Sequence, residues 1–176
     1  MRINKILSLS VAALALATMA GAADVEVTLP DTGQSSTLTA TVTEQATVNV
    51  PAAISFAVSD VSLSTDASAT AITVSGIVLD TVTKQLKISI KAATGSFTGS
   101  GTTYSAGDVS WGTSTWTGAT ATPGTLTTSF QTLATCTAGV TGCDTTDALF
   151  SLAAQPVTTS GAKTLTLNYK FESIGT

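Results

Sequence analysis

Apolar and polar residues alternate along much of the chain after residue 22, and this pattern predicts β-strands. The clearest runs are residues 164–171, 85–91 and 24–29, and a further run covers residues 38–42. A period of two residues is that of a strand with one face buried and one face in water. The helical period of 3.6 residues does not occur after residue 22. The pattern therefore predicts about eight to ten short strands, separated by turns rich in Gly, Pro, Asp and Ser.

Short strands at this spacing are typical of a two-sheet antiparallel sandwich. We expect residues 36–176 to form one all-β domain, an antiparallel β-sandwich of immunoglobulin-like or jelly-roll type. The last run carries Leu165, Leu167, Tyr169 and Phe171 on one face, which predicts a central strand whose apolar side chains point into the core. The chain is 43% hydrophobic and only 10% charged, which favours folding over disorder.

The first 22 residues follow a different pattern. Arg2 and Lys5 precede an apolar run over residues 6–17, and small residues follow at positions 20–22. This order is that of a cleaved secretory signal peptide. It predicts a secreted protein at the cell surface or outside the cell, which passes through the periplasm if the source is a diderm bacterium. The mature chain contains no run of about 18–20 apolar residues, so we expect no membrane span in it.

Charge and composition exclude several functions. The chain has no His and a formal net charge of −4, and removal of Arg2 and Lys5 leaves −6 and no Arg. Five remaining Lys cannot neutralise a nucleic-acid backbone, so nucleic acid is not an expected partner. The absence of His removes the commonest general base and the commonest metal ligand, and no G-x-S-x-G motif occurs. We expect no enzyme activity and no cofactor.

Cys136 and Cys143 enclose six residues. In an exported protein two cysteines this close favour a disulfide. A metal site would need more soft or imidazole ligands than this chain has, and the redox spacing C-x-x-C is absent. The pair therefore predicts a disulfide that closes a short loop.

Trp111 and Trp116 lie in a segment rich in Gly and Thr. Exposed indole rings could stack on sugar rings, which would suit polysaccharide binding. Tryptophan also commonly fills the core or covers the open end of a sandwich. The sequence favours packing and leaves sugar stacking as the alternative.

Several aspartates lie where strands are expected to end, and Asp144 and Asp147 beside the cysteines are the best candidates for calcium ligands. The spacing of an EF-hand loop is absent. Solvated turn residues are therefore the favoured interpretation, with calcium as the weaker one and no other metal expected.

The strand that carries Val25, Val27 and Leu29 comes directly behind the signal peptide, and a turn at residues 30–33 and a polar hinge follow it. With the final alternating strand and the low charge, this organisation resembles secreted pilin-like and filament-forming β-sandwich proteins. In that class an N-terminal extension of one subunit completes the sheet of the next. The resemblance implies that residues 23–35 are a donor strand and hinge. Pairing of the same strand within its own sandwich is the alternative.

Two functions follow for the mature chain. The first is a structural subunit of an extracellular filament, fimbria or surface assembly, which self-associates by strand exchange. The second is a monomeric secreted binding or adhesion module for polysaccharide or a cell surface. A charge-poor surface rich in hydroxyl groups lowers the repulsion between identical copies, which favours the filament.

Overall fold

A computed structural model describes residues 36–101, 104–156 and 158–175. The predicted signal peptide, residues 1–22, and the predicted assembly residues Val25, Val27 and Leu29 lie outside the described residues. The chain divides into two units, residues 1–40 and residues 41–176, and every described strand belongs to the second unit.

The described residues form antiparallel β-strands and contain no α-helix, which confirms the predicted all-β class. The strands are β1 (Gln45–Asn49), β2 (Thr65–Asp66), β3 (Ile72–Val78), β4 (Gln85–Ala92), β5 (Val109–Trp111), β6 (Ala119–Ala121), β7 (Gly124–Thr125), β8 (Gln131–Cys136), β9 (Gly142–Thr145), β10 (Phe150–Leu152) and β11 (Leu167–Ile174). One turn of 3-10 helix, Ala106–Asp108, precedes β5.

The strands form three antiparallel sheets. The first has the order β1-β3-β9, the second β2-β10-β5-β7 and the third β11-β4-β8-β6. The longest pairing joins β11 to β4 and runs without a bulge from Leu167 opposite Ala92 to Ile174 opposite Gln85. This pairing places β11 at one end of the third sheet.

One apolar cluster draws on all three sheets. Its centre includes Ile88 and Ile90 on β4, Ile72 on β3 and Phe150 on β10, each of which is almost fully buried. The alternation that predicted β4 explains its contribution, because every second side chain of a strand points to the same face. The sandwich predicted from the strand pattern thus has a single core.

The final strand differs from its prediction in position. β11 is an edge strand of its sheet, and Leu165, Leu167, Tyr169 and Phe171 are only half-buried. The expectation of a central strand is therefore wrong. Alternation shows that one face of a strand is apolar, but it does not show how many strands pair with it.

The predicted run at residues 38–42 does not form a strand. Residues 36–44 have no regular secondary structure. Leu38 is 96% exposed and Val42 is 72% exposed. The sequence alternates here as it does in a strand, but none of the described strands pairs with this segment.

The disulfide between Cys136 and Cys143 is present, which confirms the prediction. Cys136 ends β8 and Cys143 lies on β9, and both are buried. Because β8 and β9 belong to different sheets, the bond joins two sheets across the core in addition to closing a loop.

Candidate assembly groove

An open apolar groove of about 930 Å³ runs beside β11. Two segments border it, residues 51–61 and residues 158–169. Core side chains that are otherwise well buried form its floor, namely Tyr104, Val109, Leu126, Phe150 and Leu152. The groove therefore reaches down to the main core instead of forming a separate surface depression.

The groove lies against an unpaired strand edge. In the part of the chain that the structure describes, β4 is the only strand that pairs with β11. The C=O of Thr166 accepts a hydrogen bond from the N–H of Ala93 at 2.9 Å. Peptide groups alternate in direction along an antiparallel ladder, so those of Leu165, Leu167 and Tyr169 point away from β4 to the open edge. A row of donors and acceptors therefore borders an apolar groove.

Tyr169 contributes a polar group to this wall. Its hydroxyl is buried and has no hydrogen-bond partner among the described residues. Burial raises the pKa of Tyr169 to about 12, because removal from water disfavours the phenolate. The side chain stays neutral at physiological pH, which suits the lining of an apolar groove.

A polar cluster around Glu44 holds the start of β1 against the end of β11. Oε1 of Glu44 accepts hydrogen bonds from the backbone N–H of Asp80 at 2.8 Å, Nζ of Lys84 at 2.9 Å and Oγ of Ser173 at 3.1 Å. A smaller groove of about 360 Å³ beside Phe171 adjoins this cluster. The free edge of β11 is therefore tethered near Ser173 and open towards Leu165.

The Glu44 cluster makes stability depend on pH. The backbone hydrogen bond from Asp80, with further bonds from Lys84 and Ser173, lowers the pKa of Glu44 from its ordinary value of 4.5. A carboxyl whose pKa is lowered by folding stabilises the fold above its unfolded pKa, and this contribution is lost as the pH falls through the folded value. The melting temperature of Glu44→Gln at pH 7 should therefore be lower than that of the wild type.

The difference in melting temperature between Glu44→Gln and the wild type should shrink as the pH falls below the ordinary value of 4.5 and through the lowered pKa of Glu44, because the wild-type carboxyl then takes up its proton. Asp60 and Glu172 also have lowered pKa values, but both residues are present in the wild type and in the variant. Their contributions therefore cancel in the difference, which reports on Glu44 alone. A difference in melting temperature that is the same at pH 7 and pH 3 would contradict the assignment.

Beside the groove, the outer face of the third sheet carries a basic and aromatic patch. Nζ of Lys91 and Nζ of Lys170 lie 4.8 Å and 5.5 Å from the ring centroid of Phe130. The carboxylate of Glu172 forms ion pairs with Nζ of Lys170, 2.6 Å from Oε1, and with Nζ of Lys87, 3.1 Å from Oε2. The patch carries three cations and one anion in a chain whose net charge is −4. It is the basic region next to the open edge of β11.

The two tryptophans are core residues. Trp111 is 3% exposed and Trp116 is 9% exposed. Nε1 of Trp111 donates to the C=O of Thr122 at 2.7 Å, and Nε1 of Trp116 donates to Oγ of Ser114 at 2.9 Å. Neither ring offers a face to a sugar, so the sugar-stacking alternative is wrong and the packing interpretation holds. The apolar area of an indole is large enough to favour burial once its N–H has a partner.

Asp144 and Asp147 do not form a calcium site with other acidic residues. The described residues contain no group of three or more His, Cys, Asp or Glu side chains able to hold a metal ion. Oδ1 of Asp147 accepts hydrogen bonds from the N–H of Thr70 at 3.2 Å and of Leu149 at 3.0 Å. This carboxylate therefore orders a turn, and the calcium interpretation is not supported.

The sequence pattern did not predict the groove, although its second border contains an alternating run in which Ser55 and Ala57 separate Ile54, Phe56 and Val58. Ile54 and Phe56 line the groove from this segment, although the only pairing in it is a single bridge between Phe56 and Ala67. The final alternating strand was the stronger of the two sequence signals for the site. It identified three lining residues, but its place at the edge of the sheet was not predictable from it.

Comparisons with protein-family models, curated proteins and solved structures found no match for the chain. Within the described ranges no helix has the length and apolar character needed to cross a membrane. The groove and the unpaired edge of β11 are therefore the features of this chain that point to a function.

Proposed function

We propose that the mature chain is a structural subunit of an extracellular filament or surface assembly, joined to its neighbours by strand donation. The observation that carries this proposal is the apolar groove beside the unpaired edge of β11. An exposed edge strand is a template for pairing with another chain. An added strand supplies both main-chain hydrogen bonds and alternate side chains for the groove.

The donor is the N-terminal strand with Val25, Val27 and Leu29. Full burial of two Val and one Leu supplies roughly 5 to 8 kcal/mol. Association costs about 4–15 kcal/mol in lost translational and rotational freedom, so burial alone leaves little or no net free energy to hold the subunits together. The additional hydrogen bonds along the β11 edge are therefore part of the proposal.

The chain between donor and sandwich is long enough to reach a neighbour. Residues 30–44 separate Leu29 from β1, and 15 extended residues (44 − 30 + 1) span up to about 50 Å. A donor on one end and a groove elsewhere on the same molecule form a heterologous contact. Such a contact produces open filaments when the rotation between copies does not close a ring.

Export accords with this role. The N-terminal sequence pattern and the buried disulfide support placement outside the cytoplasm. The N-terminus of the exported protein, read by mass spectrometry, should lie within about two residues of Ala23.

Assembly tests the proposal directly. Purified mature protein should form filaments in negative-stain micrographs, and deletion of residues 23–33 should leave soluble monomers with the circular dichroism spectrum of the sandwich. Val27→Asp should also weaken assembly, because it places a charge in an apolar groove. Thr28→Asp is the matched control, since it adds the same charge on the opposite face of the strand.

A wild type that stays monomeric at high concentration, together with a deletion variant that unfolds, would overturn the proposal. That result would mean that the N-terminal strand belongs to its own sandwich. The monomeric binding module would then be the better function, although the buried tryptophans remove its proposed sugar contacts.

A further inference from the structure

We infer that residues 24–29 of one subunit pair antiparallel with β11 of the next in a single register, in which Asp24 lies opposite Lys170. The inference depends on the proposed function, because it specifies how the donor strand sits in the groove. In this register the donor strand contacts both the apolar groove and the basic patch beside it, whereas the proposed function involves only the groove.

The apolar residues of the donor match the groove wall in this register. It places each of three donor residues opposite one lining residue: Val25 opposite Tyr169, Val27 opposite Leu167 and Leu29 opposite Leu165. All three wall residues line the large groove and are half-buried in the isolated chain. The added strand would therefore cover the side chains that the edge position of β11 leaves partly exposed.

The backbone geometry agrees with the same pairing. Leu165, Leu167 and Tyr169 direct their peptide groups to the open edge, as the hydrogen bond between Ala93 and Thr166 indicates. Each would form a hydrogen-bonded pair with its donor residue. The residues between them would form non-hydrogen-bonded pairs, in which opposed side chains lie closest.

Charge selects this register among those that fill the groove. The polar face of the donor carries Asp24 and Glu26, which would lie opposite Lys170 and Asn168. Lys170 is flanked by Lys91 across the Phe130 ring, so an acidic side chain here meets two cations. Glu172 does not cancel both, because it also pairs with Lys87.

Shifted registers lose one of the two matches. A shift by two residues in one direction places Glu26 opposite Lys170, but it moves Val25 to Phe171, outside the large groove, and brings Asp24 opposite the like charge of Glu172. A shift in the other direction moves Leu29 to Lys163 and leaves neither donor carboxylate opposite a lysine.

A parallel strand cannot combine both matches either. With Asp24 or Glu26 opposite Lys170, a parallel donor would run from there towards Ser173 and leave Leu165 and Leu167 uncovered. The competing segment of this chain, residues 38–42, has exposed apolar side chains but no charge that could pair with Lys170.

Disulfide trapping tests the register. In the mature protein, the double variant Asp24→Cys/Lys170→Cys places two thiols in a non-hydrogen-bonded pair, whose Cα separation of about 4.5 Å permits a disulfide. Mild oxidation during assembly should give covalent multimers on a non-reducing gel. The control Glu26→Cys/Lys170→Cys places the thiols diagonally, about 7–8 Å apart, and should give few.

A charge exchange provides a second measurement that needs no new cysteine. Asp24→Lys and Lys170→Asp should each slow assembly at low salt by about two- to fivefold, and the double variant should recover most of the loss. The effect should decrease in about 1 M salt, which screens charges beyond about 3 Å.

The outcomes separate the register from the function. Multimers from the control pair alone, or equal trapping of both pairs, would overturn the register and leave strand donation intact. Normal filaments without trapping at either pair would overturn residues 24–29 as the donor and favour residues 38–42. A cross-link within one chain would show that the strand completes its own sandwich, and it would overturn both the intersubunit register and the proposed function.

Discussion

Trp111→Ala should lower the free energy of unfolding by about 3–5 kcal/mol, the range for removing a large aromatic side chain from a core. Trp111 is almost fully buried and packs against Phe150 with ring centroids 6.1 Å apart. The indole is packed tightly against Gly124, because a Cβ added to that glycine would lie only 2.5 Å from Cζ2 of the ring. The truncation would also leave the C=O of Thr122 without its donor.

Urea unfolding followed by circular dichroism measures this loss. Val82→Ala is the control, because Val82 is 82% exposed and its truncation should change stability by less than about 0.5 kcal/mol. Trp111→Phe should lie between the two, since it keeps part of the packing but loses the indole N–H. A loss below about 1 kcal/mol for Trp111→Ala would contradict the core position and reopen a surface role for this residue.

Removal of the disulfide should have the second largest effect on stability. The variant Cys136→Ala/Cys143→Ala should be less stable than the oxidised wild type by on the order of 2 kcal/mol in the loop-entropy account, since the closed loop is short. Both sulfur atoms lie in the buried region between β8 and β9, so the loss of their packing adds to that figure.

The reduced wild type is the matched control, because it keeps the side chains and loses only the bond. We expect its unfolding midpoint to lie between those of the oxidised protein and the alanine variant. Identical midpoints for oxidised and reduced protein would show that the bond does not constrain the unfolded chain enough to matter. Full thiol labelling of unfolded, unreduced protein would show that the bond is not formed at all.

The alternating segments show what local pattern can and cannot predict. Residues 85–91 predicted a strand with Leu86, Ile88 and Ile90 on its inner face, and these residues are buried on β4. The same pattern at residues 38–42 does not give a strand, and Leu38 and Val42 are exposed. Alternation reports which face of an extended segment is apolar, whereas pairing depends on whether another strand lies beside it.

The site illustrates the same limit. The sequence identified Leu165, Leu167 and Tyr169 as one apolar face, and these residues line the groove. The other border also contains an alternating run, with Ile54, Phe56 and Val58 on one side, but alternation does not show that this run lies beside β11. The patch of Lys91, Lys170 and Phe130 joins residues of β4, β11 and the segment before β8, so its members come together only through the strand pairing.

The sequence by itself determined the all-β class, the disulfide between Cys136 and Cys143 and the apolar face of the last strand. These features depend on local chemistry: β-branched residues at a period of two, and two cysteines at close spacing. Only the tertiary structure decided that β11 is an edge strand, that a groove opens beside it and that both tryptophans are buried. Those features depend on which distant strands pair, and pairing is set by the packing of the whole core, which no local pattern encodes.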